Sequence, residues 1–344
     1  MSADIGRVVE DGPTIGSRTM RAIVYTQNGF PEALQLKEVA RPEPREDQVL
    51  VRVLAASVNT LDLLKRINKV PGADIAGRVE AVGAASTQFQ PGDEVFGVPT
   101  RFVGGFAEFV CVPEGRLAAK PANLSFEAAA AVPVASMTAL QGLRDKGKIR
   151  AGHKVLINGA SGGVGTYAVQ IAKSFGAEVT AVCGARNLAL ARSIGADHVI
   201  DYAREDFTQN GQRYDLIIGV NGYHSILDYR RALTPRGRYV AIGGSKSQVL
   251  QGIIVGPVLS MIGSKKMGFM GIARPNKKDL VTVKELVEAG KVAPVIDRSY
   301  PLAEAAEAMR YLAGGHAQGK VVVTVDPDHR GCQRRGRSQV GGSS

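Results

Sequence analysis

Cysteine is scarce. The three present, Cys111, Cys183 and Cys332, are too few and too scattered for a disulfide scaffold or a paired-cysteine zinc site. A reducing compartment such as the cytoplasm is therefore expected. Also missing is a long basic run with interleaved aromatics. The net charge is +11, yet the 43 Lys and Arg are spread along the chain. That pattern speaks against a nucleic-acid partner and suits an enzyme that binds a polyanionic cofactor. Long apolar runs are absent too. The most apolar stretch, Val249 to Ile262, has 14 residues broken by Gly and Pro, short of the about 20 that span a bilayer. No integral membrane segment is expected; the stretch reads as a buried or interface helix, with contact to a membrane surface left open. The first 19 residues hold Asp4, Glu10 and Asp11 and no apolar core, unlike a secretory signal or an acid-poor transit peptide.

What is present points to a soluble α/β protein of two domains. Hydrophobic content of 44%, charged content of 22% and 41 glycines suit short buried strands joined to helices by tight turns. From Met20 the segments "MRAIVYT", "ALQLKEV", "QVLVRVLAASV", "IAGRVEAVG", "DEVFGV" and "AEFVCVP" alternate apolar and polar positions between Gly, Pro and Asp turns, the pattern of a β-barrel or sandwich. "SFEAAAAVPVASMTALQGLRDKG" then turns helical. From His153 to about Ile272 strands alternate with helices, which implies right-handed βαβ units and a doubly wound parallel sheet. Within that stretch, "HSILDYRRALTPRG" reads as a helix. Two amphipathic helices and the strand "KVVVTV" follow and must return to the first domain.

The chemistry concentrates at "KVLINGASGGVGTYAVQIAKSFG". Counting from Ala160, the turn reads Ala160-x-Gly162-x-x-Gly165, a GxGxxG with alanine first. Gly162 would let the backbone approach a pyrophosphate, Gly165 would let helix and strand pack closely, and the helix N-terminus would attract the phosphates. The alternative is an ordinary tight turn between strand and helix. An NAD enzyme ends its second strand on Asp or Glu for the ribose 2′-hydroxyl. Here "AEVTAVCG" ends on Cys183 and Gly184, Glu178 sits at the wrong end, and Arg186, Asn187 and Tyr202 follow. Loss of the carboxylate and gain of an Arg fork favour the 2′-phosphate of NADPH, unless Arg186 is only a solvated helix residue.

These residues, with "SVNTLD", "PGADIAGRVEAVG", "DEVFGV", "TPRGRYVAIGG" and "GKVVVTV", resemble in order from Met20 to Val325 the zinc-independent quinone oxidoreductase branch of the medium-chain dehydrogenase/reductase superfamily. The resemblance implies a GroES-like barrel made from residues 20–140 and 273–325, and a Rossmann domain over 141–272. Residues 1–19 would form a flexible extension and 326–344 a disordered basic tail. It further implies NADPH-dependent reduction of a quinone or enone, in a cleft between the domains, by a homodimer. Other zinc-free readings are an enoyl-thioester reductase of the same superfamily and a non-catalytic NADPH-binding protein.

Zinc-dependent members need a Cys in the first barrel loop and a Gly-His-Glu segment. This chain has Asn59 and Thr60 in the loop and Gly72-Ala73-Asp74 in the segment, so no metal is expected. The histidines, His153, His198, His224, His316 and His329, read as surface or capping residues. By resemblance Asn59 lies near the nicotinamide ribose and Thr138 near the nicotinamide. Ser161, Gly162, Gly163 and Val164 bind the pyrophosphate, and Asn221, Gly243, Gly244, Phe269, Met270, Gly271 and Lys320 line the remaining groove. Asn59, Asp62 and Tyr25 are the catalytic candidates, although Asp62 also suits a helix N-terminal charge and Tyr25 a place in the barrel core. Only 15 positions separate Asn59 from Asp74, a short span that implies an open substrate mouth.

Overall fold

The computed structural model describes residues 19–26, 33–63, 69–222 and 224–325. The extension up to residue 18, the tail from residue 326 and positions 64–68 of the short segment lie outside the described residues. The first part is built from β1 (Thr19–Tyr25), β2 (Leu34–Ala40), β3 (Gln48–Val58), β4 (Asp74–Val82), β5 (Glu94–Gly97), β6 (Phe109–Pro113) and β7 (Leu117–Ala119). Helices α1 (Phe126–Ala130) and α2 (Pro133–Gln141) follow. Ser125 caps α1 by accepting from the Ala128 N–H at 3.2 Å, and Pro133 occupies the first position of α2, where its missing N–H costs nothing.

Next come β8 (Lys154–Asn158), α3 (Gly163–Ser174), β9 (Glu178–Cys183), α4 (Leu188–Ser193), β10 (His198–Asp201), β11 (Tyr214–Gly219), α5 (Ile226–Arg231), β12 (Leu233–Ala241), α6 (Lys246–Met261) and β13 (Lys266–Phe269). The six strands form one parallel sheet in the order β10-β9-β8-β11-β12-β13. The chain winds outward from β8 on one side, then returns to start again at β11. The crevice for a ligand in such a sheet lies at the carboxyl ends of the two strands flanking that reversal.

Two stretches differ from the sequence expectation. "HSILDYRRALTPRG" is not one helix: α5 stops at Arg231 and β12 begins at Leu233, because Pro235 lacks the N–H a helix interior needs. Of the buried or interface helix expected at Val249–Ile262, the buried form is not found. The stretch lies in α6, which rests on β13 through Gly252 and Gly256 and leaves Leu250, Ile253, Ile254, Val258, Met261 and Ile262 exposed. No described helix is long and apolar enough to cross a membrane.

The chain ends with α7 (Lys277–Glu288), β14 (Ile296–Pro301), α8 (Ala305–Ala313) and β15 (Lys320–Thr324). β15 returns to pair antiparallel with β3, and β14 lies parallel beside β15. With β4, β5, β6 and β7 they complete a seven-stranded sheet, while β1 and β2 form a separate ribbon. Ala55, Ala76 and Phe96 of the first sheet share a continuous apolar core with α1, α2, α3 and β8. β3 and β15, far apart in the chain, thus pair beside the carboxyl edge of the parallel sheet.

Candidate functional site

At the opening of α3 the two glycines have separate tasks. A Cβ on Gly165 would stand 2.1 Å from the Gly159 carbonyl oxygen, so close packing of helix on turn dictates glycine there. A Cβ on Gly162 would meet nothing nearer than that oxygen at 3.9 Å. The space above Gly162 is open, and the unpaired N–H groups of the first helical turn face a position of positive potential.

The end of β9 carries the next group. Cys183 is buried, and burial pushes its thiol pKa upward. Tyr202 is 68% exposed, and a Cβ on Gly184 would lie 3.3 Å from its hydroxyl. Arg186 donates from Nη2 to the His316 carbonyl at 3.1 Å. Asn187 donates from Nδ2 to Ser161 Oγ at 3.0 Å, while its Oδ1 is buried without a partner. Glu178 stands at the opposite end of the strand, 2.9 Å from His198. One acid escaped the sequence reading: Asp201, in register with Cys183 on β10, accepts from the Ala203 N–H at 3.1 Å.

From the barrel side, Gly319 donates its N–H to the Ser161 carbonyl at 2.8 Å and bridges to Gly162. The next residue, Lys320, lays its stem against Gly163, where a Cβ would be 3.0 Å from Lys320 Cδ. Its ammonium turns inward, donating to Asn59 Oδ1 at 2.7 Å, to the Val58 carbonyl at 3.3 Å and to Asp74 Oδ2 at 3.3 Å. Asp74 is fully buried and also accepts from Ser57 Oγ at 2.7 Å, Asn59 Nδ2 at 2.8 Å and the Val134 N–H at 2.8 Å. Lysine has no acceptor, so the Asn59 atom facing it is the amide oxygen. Sequence reasoning named Asn59 and Lys320 but missed Ser57 and the central role of Asp74. The available signal was an acid directly ahead of the apolar run Ile75-Ala76-Gly77, in a strand whose other charges, Arg78 and Glu80, are exposed.

Asp62 lies in a short helical turn, Thr60–Leu63. Its two oxygens accept from the Asn59 N–H at 2.7 Å and the Gly72 N–H at 3.0 Å, clamping both ends of the short segment. Burial raises its pKa to about 7 despite those two donors. Tyr25 donates its hydroxyl to the Asp62 backbone carbonyl at 2.8 Å, and burial raises its pKa to about 12. Tyr25, Leu61, Asp62 and Phe102 line one small recess. At its rim Arg101 and Phe102 both take left-handed backbone angles, φ 57° and 58°, which non-glycine residues rarely adopt.

The remaining candidates gather at the carboxyl edge of the sheet. Asn221 follows β11, Gly243 and Gly244 follow β12, and Phe269, Met270 and Gly271 end β13 or follow it. Thr138 donates to the Val134 carbonyl at 2.6 Å within α2. One turn later, a Cβ on Gly142 would touch Ile242 Cδ1 at 2.7 Å and Met270 Sδ at 3.4 Å, so this part of the chain abuts those loops.

Comparison with known proteins adds the lineage. The family described as "Zinc-binding dehydrogenase" matches residues 194–323, and "Alcohol dehydrogenase GroES-like domain" matches residues 45–122. The chain is 36% identical to the 2-methylene-furan-3-one reductase of Solanum lycopersicum, over 90% of this chain and 80% of that protein. It is 34% identical to the chloroplastic NADPH-dependent alkenal/one oxidoreductase of Arabidopsis thaliana, over 90% and 81%. Among solved structures, the quinone oxidoreductase from Coxiella burnetii superposes with a TM-score of 0.80 at 30% identity, covering 90% of this chain and all of that one.

Proposed function

We propose, from the premise that this chain belongs to the quinone oxidoreductase-like branch of the medium-chain dehydrogenase/reductase superfamily, that it reduces a quinone or an α,β-unsaturated carbonyl with NADPH and without a metal. One observation carries the reading. The open cradle above Gly162 is bridged by Gly319 to Lys320, whose ammonium enters a buried cluster with Asn59 and Asp74.

The residues of this site fit a nicotinamide dinucleotide. The first turn of α3 would hold the pyrophosphate, Arg186 and Tyr202 the adenosine end, and the loops after β11, β12 and β13 the nicotinamide end. The cofactor supplies a hydride. The protein's own part is to orient and to desolvate. Both Asn59 Nδ2 hydrogens are engaged, by the Ser57 carbonyl at 3.3 Å and Asp74 Oδ2 at 2.8 Å, so the amide cannot rotate. Its Oδ1 accepts from Lys320 and retains one lone pair for a ligand hydroxyl. The Tyr25 hydroxyl is committed to the Asp62 carbonyl, so the substrate proton is assigned to water or another nearby hydroxyl.

The acceptor class follows from the donor set. Asn59 and Ala73 stand where thiolate and imidazole would be needed, and an alkoxide of high basicity is poorly served without a Lewis acid. A quinone or enone instead spreads the arriving charge over its own π-system. The names of the tomato and Arabidopsis relatives denote reductases of conjugated carbonyls, in agreement with this reading. A homodimer is also proposed. The exposed aliphatic residues of α6 adjoin β13, which pairs only with β12 among the described residues. Steady-state oxidation of NADPH against quinones, enals and enoyl thioesters tests the substrate class. Turnover of quinones or enals is expected, and turnover confined to thioesters would redirect it.

A further inference from the structure

A second polar cluster lies beneath the glycine-rich loops. Asn158, the last residue of β8, donates from Nδ2 to the Tyr229 hydroxyl at 2.8 Å. Gln248, in the first turn of α6, donates from Nε2 to the same hydroxyl at 2.9 Å and to the Tyr239 hydroxyl at 3.2 Å. The two tyrosine rings stack with centroids 4.2 Å apart. None of the four residues is more than 4% exposed. Apolar side chains of the same shape would fill this volume without the desolvation cost of three hydroxyl-bound amide contacts. Filling volume is therefore not a sufficient account of the cluster.

Its contacts point toward the loops. A Cβ on Gly222, at φ 103°, would lie 2.7 Å from Asn158 Nδ2. A Cβ on Gly219, the last residue of β11, would lie 2.9 Å from the Tyr239 hydroxyl. A Cβ on Gly244, at φ 108°, would lie 2.1 Å from Gln248 Oε1. Asn158 and Tyr239 thus lie against the end of β11 and its loop, and Gln248 lies against the loop after β12. Asn158 also holds the loop after β11 by its carbonyl, which accepts from the Val220 and Asn221 N–H groups at 2.9 and 3.1 Å. Gln248 Oε1 is the cluster's unpartnered buried atom, and it lies against the Gly244 turn.

We infer that Asn158, Tyr229, Tyr239 and Gln248 are positioning residues that set the loops after β11 and β12 at the height required by the nicotinamide dinucleotide. This rests on the proposed reading of the site. The Tyr229 hydroxyl ties Asn158, at the end of β8 and against the loop after β11, to Gln248, against the loop after β12, so removing that hydroxyl frees both loops together.

The test measures NADPH affinity in the full chain by the emission of the bound reduced nicotinamide; the chain has no tryptophan to interfere. Tyr229→Phe and Gln248→Met are compared with Tyr214→Phe. Tyr214 is another buried tyrosine, at the amino end of β11 and away from the glycine-rich loops. Each variant is titrated below its own melting temperature. Tyr229→Phe and Gln248→Met are each expected to raise the NADPH Kd about tenfold, with Tyr214→Phe within about twofold of wild type. Should Tyr229→Phe fail to fold, Gln248→Met carries the comparison. Equal affinities for both variants and the Tyr214 control would overturn the positioning role while the site reading stands. Absence of NADPH and NADH binding by the wild-type chain would overturn both.

Discussion

Lys320 places its ammonium 2.7 Å from the amide oxygen of Asn59, 261 positions earlier in the chain. The same ammonium lies 3.3 Å from Asp74, and neither charged side chain is more than 3% exposed. A pair buried this deeply is costly to break from one side, because the remaining charge has no water to turn to. Lys320→Met is expected to destabilise the protein by about 3–5 kcal/mol. Adding Asp74→Asn should recover part of that loss. Urea denaturation of the two single variants and the double variant measures the coupling. Strictly additive costs would mean the two residues do not act as a pair.

The glycine turn yields a second prediction. Gly162→Val places its side chain in the open cradle, where nothing lies nearer than 3.9 Å. It should abolish NADPH binding and leave the ligand-free melting temperature near that of wild type. Gly165→Val drives a Cβ to 2.1 Å from the Gly159 carbonyl and should lower the ligand-free melting temperature. Overpacking of this kind costs about 1–3 kcal/mol or more. Calorimetry with and without NADPH separates the two, since the ligand stabilises only a fold that binds it. A Gly162→Val protein that binds NADPH within a few-fold of wild type would reduce the turn to a structural role.

Cofactor preference is predicted from the end of β9. Arg186→Ala should cost about 1.5–3 kcal/mol of NADPH binding, the range for a lost hydrogen bond to a charged group, with little change for NADH. Gly184→Asp should weaken NADPH by repulsion of its 2′-phosphate. Parallel titrations with both nucleotides report the ratio, and equal affinity of the wild-type chain for the two would refute the assignment.

Asp62 predicts a pH dependence. Its pKa is raised from 3.8 to about 7 by burial, so the folded chain holds this proton more tightly than the unfolded one. The associated stability is fully present below about pH 4 and is lost as the pH rises through 7. Asp62→Asn removes the titration. Relative to wild type, the variant should therefore gain stability between pH 4 and 8, by something on the order of 2–4 kcal/mol. Melting temperatures across that range decide it; parallel curves for the two proteins would contradict the assignment.

The sequence revealed elements where local chemistry and tertiary packing agree. "KVLING" followed by the glycine turn became β8 and α3, with Gly165 packed against the Gly159 carbonyl as its spacing suggested and open space beside Gly162. It was silent where packing alone decides. β14 has a polar, proline-ended sequence, IDRSYP, and owes its strand form to β15 alongside. α6 is apolar on every side, so no periodicity marks its buried face; Gly252 and Gly256 do, because only small residues let it approach β13. Ser57, Asn59, Asp74 and Lys320 become one cluster through the pairing of β3 with β4 and β15, a relation no local pattern encodes. Asp62 was read as a catalytic group or a helix-end charge; it stands in the first turn of the Thr60–Leu63 helix, and its carboxylate also closes the short segment from Asn59 to Gly72, a contact no local pattern announces.

Metal-independent hydride transfer from NADPH to a conjugated acceptor is read directly with NADPH carrying deuterium at both C4 positions, an enone such as a simple alkenone, and protein dialysed against a strong chelator, with the product followed by mass spectrometry and NMR. One deuterium at the β-carbon, delivered at an undiminished rate after chelation, is the predicted result. Turnover that disappears on chelation and returns with zinc, or a reduced product free of deuterium, would contradict it.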